Sequence, residues 1–234
     1  LHGVTGSGKT EIYIHLIRRA LEHKQQVLYL LPEIALTVQM MQRLQRVFGD
    51  RLGIYHSKYS DAERVEIWQK QLSSHPYDII LGARSAVLLP FQKLGLVIVD
   101  EEHENSYKQQ DPAPRYHARS AAIVLAHMTG AKTVLGTATP SMETYYNTQT
   151  GKYGLVSLTQ RFQGMQLPRI EVVDVARLQH RKEMKGPFSP LLLTSMREAL
   201  QQGEQVILFQ NRRGFAPMVE CHQCGWVPRC QHCD

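Results

Sequence analysis

No apolar run in this chain of 234 residues has the ~20 residues needed to cross a bilayer; stretches such as Val27 to Leu31 and Leu94 to Val99 are far shorter. No membrane span is therefore expected, and no secretory pattern is visible. Cysteine is missing from the first 220 residues, which excludes a disulfide framework there. The four cysteines present crowd into the last fourteen residues at spacings that suit metal, so a reducing compartment, the cytoplasm, is expected. Internal repeats and low-complexity tracts are also absent. No large charge excess exists either: 27 Lys and Arg against 21 Asp and Glu give +6 and a pI near 9.2. That balance suits a phosphate-rich partner, although spread evenly it would serve only solubility. Lastly, only Leu1-His2 precede a glycine-rich loop that normally follows a strand. The expectation is a piece of a longer protein, to be refuted by a reading frame that begins and ends with this sequence.

Two motifs stand out among the residues present. Gly3-Val4-Thr5-Gly6-Ser7-Gly8-Lys9-Thr10 fits G-x-x-x-x-G-K-[ST], whose backbone N–H groups cradle phosphates while the lysine reaches the β- and γ-phosphates and the threonine ligates Mg²⁺. About ninety residues on, Asp100-Glu101-Glu102-His103 follows the apolar run Leu94 to Val99, a buried-strand pattern that delivers carboxylates at its C-terminal end. A carboxylate there can complete a magnesium site. Either motif alone has a bland reading, a flexible turn or a solvated acidic face. Their order, and the helix stripe Ile12, Leu16, Ile17, Ala20 and Leu21 after the loop, favour an ATP site.

From residue 9 to about 160 short apolar runs alternate with helical periods, which predicts an α/β fold with a mostly parallel sheet and helices on both faces. Strands are expected at Val27 to Leu31, Leu52 to Tyr55, Asp78 to Leu81, Leu94 to Val99 and Lys132 to Leu135. Met40, Met41, Leu44, Val47 and Phe48 form one helix stripe, and Ser60-Asp61-Ala62-Glu63 reads as a capping box. A Gly- and Pro-punctuated linker around a strand at Ile170 to Val175 comes next. Ser189-Pro190 then opens a helix to Gln202, and a strand is expected at Gln205 to Phe209. The expected domains are a first lobe over 1–163, a linker over 164–188, the start of a second lobe over 189–220 and a cysteine module over 221–234.

Leu31 to Thr37, Gly82-Ala83-Arg84-Ser85-Ala86 and Gly136-Thr137-Ala138-Thr139-Pro140-Ser141 each follow a predicted strand, at the sheet edge where α/β proteins hold ligands. The first two suit contacts to a nucleic-acid backbone; the third suits a hydroxyl near the γ-phosphate, or simply an N-capping turn. With Asn211-Arg212-Arg213-Gly214, the combination GVTGSGKT, PEIALT, GARSA, DEEH and GTATPS resembles the superfamily 2 DNA helicases, and among them the bacterial primosomal replication-restart helicases. The resemblance runs through essentially the whole chain. It implies RecA-like lobes, ATP-driven 3′ to 5′ unwinding of single-stranded and forked DNA at stalled forks, and single-stranded DNA-binding protein and primosome proteins as partners near the nucleoid. It assigns Lys9 and Thr10 to phosphate and magnesium, Asp100 to the metal, Glu101 to the attacking water, and His103 and Thr137 to the nucleotide site. Ala83 stands where Thr is expected and Thr137 where Ser is expected; the first change removes a phosphate contact, the second keeps its hydroxyl.

The stretch Asn105 to His117 interleaves basic and aromatic residues and resembles the family's aromatic-rich loop. Arg84, Ser85, Tyr107, Lys108, Arg115 and Tyr116 are the expected DNA contacts, since bases stacked on aromatics are held without sequence preference. Cys221-x-x-Cys224 and Cys230-x-x-Cys233 read as structural Zn²⁺ ligands. One four-thiolate site is the simplest arrangement, whereas the resemblance implies two zincs and interleaved pairs, each pair here being half a site. The isolated segment is expected to be a weak ATPase, because the transition state draws on an arginine from across the cleft. Two rival readings are a P-loop motor with a non-nucleic-acid substrate and a non-catalytic zinc module that recruits partners.

Overall fold

The computed structural model describes residues 1–32, 38–56, 59–164, 168–209, 221 and 226. The chain divides into two compact units, Leu1–Gln166 and Leu167–Asp234.

In the first unit, β2 (Gln26–Leu30), β3 (Leu52–Tyr55), β4 (Ile79–Gly82), β5 (Leu94–Asp100) and β6 (Lys132–Gly136) form a five-stranded sheet in the order β3-β4-β2-β5-β6. Every pairing is parallel. The five strands anticipated from apolar runs are present, shifted by a residue at some ends. Such runs are legible because both faces are covered, so a strand carries little alternation. On one face Val27, Tyr29, Ile79, Leu81, Leu96 and Ile98 pack against α1 (Lys9–Glu22) and α2 (Val38–Phe48). On the other, Leu28, Leu30, Ile80, Val97 and Val99 pack against α4 (Ala118–Thr129) through Ala118, Ala122 and Ala126. A short β1 (His2–Gly3) pairs with β7 (Ser157–Leu158) and bridges to Thr137 just past β6. The start of the phosphate loop is thereby tied to the end of β6.

Two helices complete this unit. α3 (Asp61–Leu72) opens on the anticipated capping box, with Glu63 N donating to Ser60 Oγ at 3.4 Å and Ser60 N to Glu63 Oε2 at 2.7 Å. α5 (Met142–Gln149) is capped by Ser141. The stripe of α2 is narrower than expected: Leu44 and Phe48 are buried, Met40 and Met41 half-buried, and Val47 exposed. On α1 the core residues are Tyr13, Ile14, Ile17, Ala20 and Leu21. Leu16 packs half-buried against that core, and Ile12 and Leu16 both line an apolar cavity of about 810 Å³ beside β6.

The second unit contains α6 (Val175–His180), capped by Asp174, and α7 (Pro190–Gln201), where Ser189 Oγ accepts from Leu192 N at 3.2 Å and Pro190 takes the first helical position as foreseen. The strands expected at Ile170 to Val175 and Gln205 to Phe209 do not form. Ile170, Val172, Ile207 and Phe209 are at least 81% exposed. An apolar pattern becomes a strand only when a neighbour takes its hydrogen bonds, and no described residue does so here.

Candidate functional site

The phosphate loop leads directly into α1. Gly6 and Gly8 have φ of 78° and 86°, a left-handed conformation that costs a glycine little. Gly8 is the N-cap of α1 and no side chain caps that end, so first-turn amides and the positive end of the helix dipole face the loop. A Cβ on Gly3 would come within 2.6 Å of Ser7 Oγ, a buried hydroxyl with no hydrogen-bond partner among the described residues. Lys9 Nζ donates to Gly3 O at 2.8 Å, folding the cation over the loop. Val4, Lys9 and Thr10 are half-buried, while Thr5 and Gly6 are exposed. Left-handed glycines, an orphaned hydroxyl, uncapped amides and an adjacent ammonium suit a polyphosphate.

Asp100 ends β5 at 7% exposure, beside Gly136 of β6 in register. Its Oδ1 accepts from Tyr13 Oη at 2.9 Å and from Glu101 N at 3.1 Å, and Oδ2 accepts from Tyr29 Oη at 3.3 Å. Its own carbonyl accepts from Tyr107 Oη at 2.6 Å. Burial raises the Asp100 pKa despite these donors. Burial and the neighbouring carboxylate push the Tyr13 and Tyr29 hydroxyls far above their usual range, so both stay protonated and donate. Tyr13 lies one turn past Lys9, so a single short helix carries both the ammonium folded over the loop and the hydroxyl that holds Asp100.

Glu101 turns the chain sharply, with φ of 46°, a conformation costly for a residue with a Cβ. It is half-buried, its pKa raised by burial and then by Asp100. His103 Nδ1 lies 3.7 Å from Glu101 Oε2 and 2.8 Å from Thr137 Oγ1, and Thr137 Oγ1 also accepts from Thr139 N at 3.0 Å. The acidic box and the Gly136 to Ser141 segment are therefore joined through the imidazole.

Glu102, unremarked in the sequence, is 1% exposed and the most heavily bonded residue of the box. It accepts from Arg119 Nη1 at 2.6 Å, Ser141 N at 2.8 Å, Thr144 Oγ1 at 2.8 Å and Ser141 Oγ at 3.0 Å. Burial opposes its charge, but these donors outweigh burial and lower its pKa.

The basic and aromatic stretch folds as a loop closed by an antiparallel bridge between Lys108 and His117, with Gln109 N donating to Tyr116 O at 2.9 Å. Tyr107 is a correction: it is fully buried, spanning the carbonyls of Leu30 and Asp100, so its ring has no face for a base. Basic, aromatic composition marked the loop, yet this ring fills the core. Tyr116 is half-buried, and Arg115 and Lys108 are exposed. Arg84, half-buried like Ser85, donates from Nη1 to the carbonyls of Ser106 and Lys108, both at 3.2 Å, and braces the loop. Ala83, where a Thr was expected, is buried.

Glu33 to Thr37, Asn211 to Gly214, Cys224, Cys230 and Cys233 lie outside the described residues. Among those described, no group of three or more metal-binding side chains occurs and no helix is long and apolar enough to cross a membrane.

Parallel sheet, phosphate loop and acidic strand end define a nucleoside-triphosphate-binding lobe of the helicase type. A profile of the DEAD/DEAH box helicases matches residues 1–148, and the chain belongs to that family. It is similar to the replication restart protein PriA of Bacillus subtilis (strain 168), with 43% identity over 234 residues, covering 100% of this chain and 29% of that protein. The PriA protein of Haemophilus influenzae is 45% identical over 234 residues, with 100% of this chain and 31% of that one covered. The chain thus spans about a third of the length of these relatives. Among solved structures, that of RecG bound to a three-way DNA junction is similar in fold, with a TM-score of 0.54 at 19% identity, covering 87% of this chain and 25% of that one.

Proposed function

We propose that this chain is the ATP-binding lobe, with the beginning of the second lobe, of a DNA helicase of the replication-restart type. The observation that carries the reading is the 2.9 Å bond from Tyr13, on the helix that begins at Lys9, to Asp100. It supports a phosphate loop and acidic box acting as one site. Lys9 and the first amides of α1 would bind the phosphates, and Thr10 and Asp100 would hold Mg²⁺, which when bound spreads the charge of phosphoryl transfer. Glu101 would orient the attacking water and take its proton. His103 and Thr137 would sense the nucleotide from the segment after β6.

The strand contacts would be Arg115, Lys108 and Tyr116 on the loop beside Arg84 and Ser85, with single-stranded or forked DNA as the partner. Unwinding 3′ to 5′ and assembly with single-stranded DNA-binding protein and primosome proteins, in the cytoplasm, extend this reading on the resemblance of the sequence motifs alone. Zn²⁺ would be held through Cys221, Cys224, Cys230 and Cys233 as a structural ion.

One substitution separates this reading from a motor without a nucleic-acid substrate. In the full-length protein, Tyr116→Ala is expected to lose about 1 to 3 kcal/mol of base stacking, weakening single-stranded DNA binding roughly 5- to 150-fold while sparing DNA-free ATP hydrolysis. Steady-state turnover titrated with oligonucleotide measures both. Equal losses with and without DNA would count against a strand-binding loop.

A further inference from the structure

The strand loop has two roots, and each ends in a hydrogen bond to a residue flanking Glu101. At the first root, Tyr107 Oη donates to the Asp100 carbonyl at 2.6 Å and to the Leu30 carbonyl at 3.1 Å. At the second, the chain passes His117 and enters α4, where Arg119 Nη1 reaches the Glu102 carboxylate at 2.6 Å, the Glu102 carbonyl at 3.3 Å and Ser141 Oγ at 2.6 Å. Arg119 is largely buried and the Glu102 side chain wholly so. Between these anchors sits Glu101, in a left-handed conformation that persists only where its surroundings over-determine it.

Three further features make this more than local packing. Glu102 N donates to Gly136 O at 3.1 Å, so the same residue fixes the box to the end of β6. Ser141, which shares Arg119 and Glu102, caps α5, so the segment carrying Thr137 and Thr139 is tied to the same carboxylate. Finally, α4 has no side-chain cap: His117 is its N-cap and also half of the bridge that closes the loop. A shift of the loop therefore reaches Arg119 within two residues, with no flexible segment between.

We infer that Tyr107 and Arg119 are positioning residues through which strand engagement at the 108–117 loop sets the backbone of Glu101, and with it the rate of ATP hydrolysis. This rests on the function proposed above and adds a route for the coupling. Tyr107 is fully buried and Arg119 largely so, behind the exposed residues of the loop. Both act by holding the peptides on either side of the strained residue. A buried carboxylate–guanidinium pair suits this role, because it tolerates little displacement before its bonds break.

The test uses full-length protein, single-stranded oligonucleotide and two variants. Tyr107→Phe removes one hydroxyl and leaves the ring in the core; Arg119→Met removes the cation at similar length. Each is expected to bind oligonucleotide as the unmodified protein does, by fluorescence anisotropy, yet to show DNA-stimulated ATP turnover reduced about 3- to 30-fold with DNA-free turnover changed far less. Arg119→Lys, which restores a donor, should recover part of the stimulation. Unchanged stimulation in both variants overturns the inference, as does a parallel loss of basal and stimulated turnover, which marks a structural role alone. If Arg119→Met does not fold, Tyr107→Phe decides. If the unmodified protein itself shows no stimulation by DNA, the proposed function fails instead.

Discussion

Glu101→Gln in the full-length protein is expected to lower ATP turnover by about 10²- to 10⁴-fold while leaving nucleotide binding intact, the loss typical when a positioned proton acceptor is removed. The substitution keeps the size of the side chain and removes only its capacity to take a proton. Glu101 suits proton acceptance because it is half-buried, follows the Asp100 carboxylate directly, and has its pKa raised by burial and by that neighbour. The backbone φ of 46° is as open to glutamine as to glutamate, so the fold should not change. Steady-state turnover together with titration of a fluorescent ATP analogue reads the two effects separately. Turnover within about threefold of the unmodified protein would remove Glu101 from the chemistry.

Gly136→Ala should be the most damaging single-methyl change in the first unit. The added Cβ would lie 1.6 Å from Tyr13 Oη, 2.8 Å from its Cζ and 3.4 Å from Asp100 Oδ1. Tyr13 is fully buried and packs edge-on against Tyr29 at 5.5 Å, so its ring has nowhere to retreat. Overpacking of a close-packed core costs about 1 to 3 kcal/mol. A comparable amount follows when the buried Asp100 carboxylate loses a donor. A destabilisation of about 3 kcal/mol or more is therefore expected by chemical denaturation of the intact protein. Adding Tyr13→Phe, which removes the clashing oxygen, should recover part of it. Unchanged stability would show that the glycine is not needed to make room for the hydroxyl.

Gly136 shows how far the sequence could be read. The first residue of Gly136 to Ser141 is legible as a turn after a strand, but nothing in a one-dimensional pattern shows that its missing Cβ accommodates a tyrosine 123 residues earlier. The strands and helix caps were legible because their signals are local: apolar runs covered on both faces, Ser60 with Glu63, Ser189 with Pro190. The phosphate loop and the position of Asp100 were legible for the same reason.

Polar partnerships across the fold were not. Glu102 reads as one acid among three, and its partners Arg119, Ser141 and Thr144 stand 17 to 42 residues away, at distances no periodicity encodes. Tyr107 failed in the opposite direction, since an aromatic in a basic loop resembles a stacking platform until burial is known. The apolar segments near Ile170 and Ile207 carry strand composition, but composition supplies no neighbouring strand. Among the site residues, the structure brings Lys9, Asp100, Glu101, His103 and Thr137 to one end of the sheet and makes Arg84 a brace of the loop; their chemical roles belong to the proposal.

The claim beneath all of this is that hydrolysis at the phosphate loop and strand binding at the 108–117 loop are energetically joined. ATP turnover by the full-length protein, measured with and without single-stranded DNA at fixed salt, addresses it most directly. A several-fold rise that saturates with oligonucleotide is expected, and it should vanish in Glu101→Gln. A rate indifferent to DNA at every concentration would contradict the coupling and return the chain to the motors that act on something other than nucleic acid.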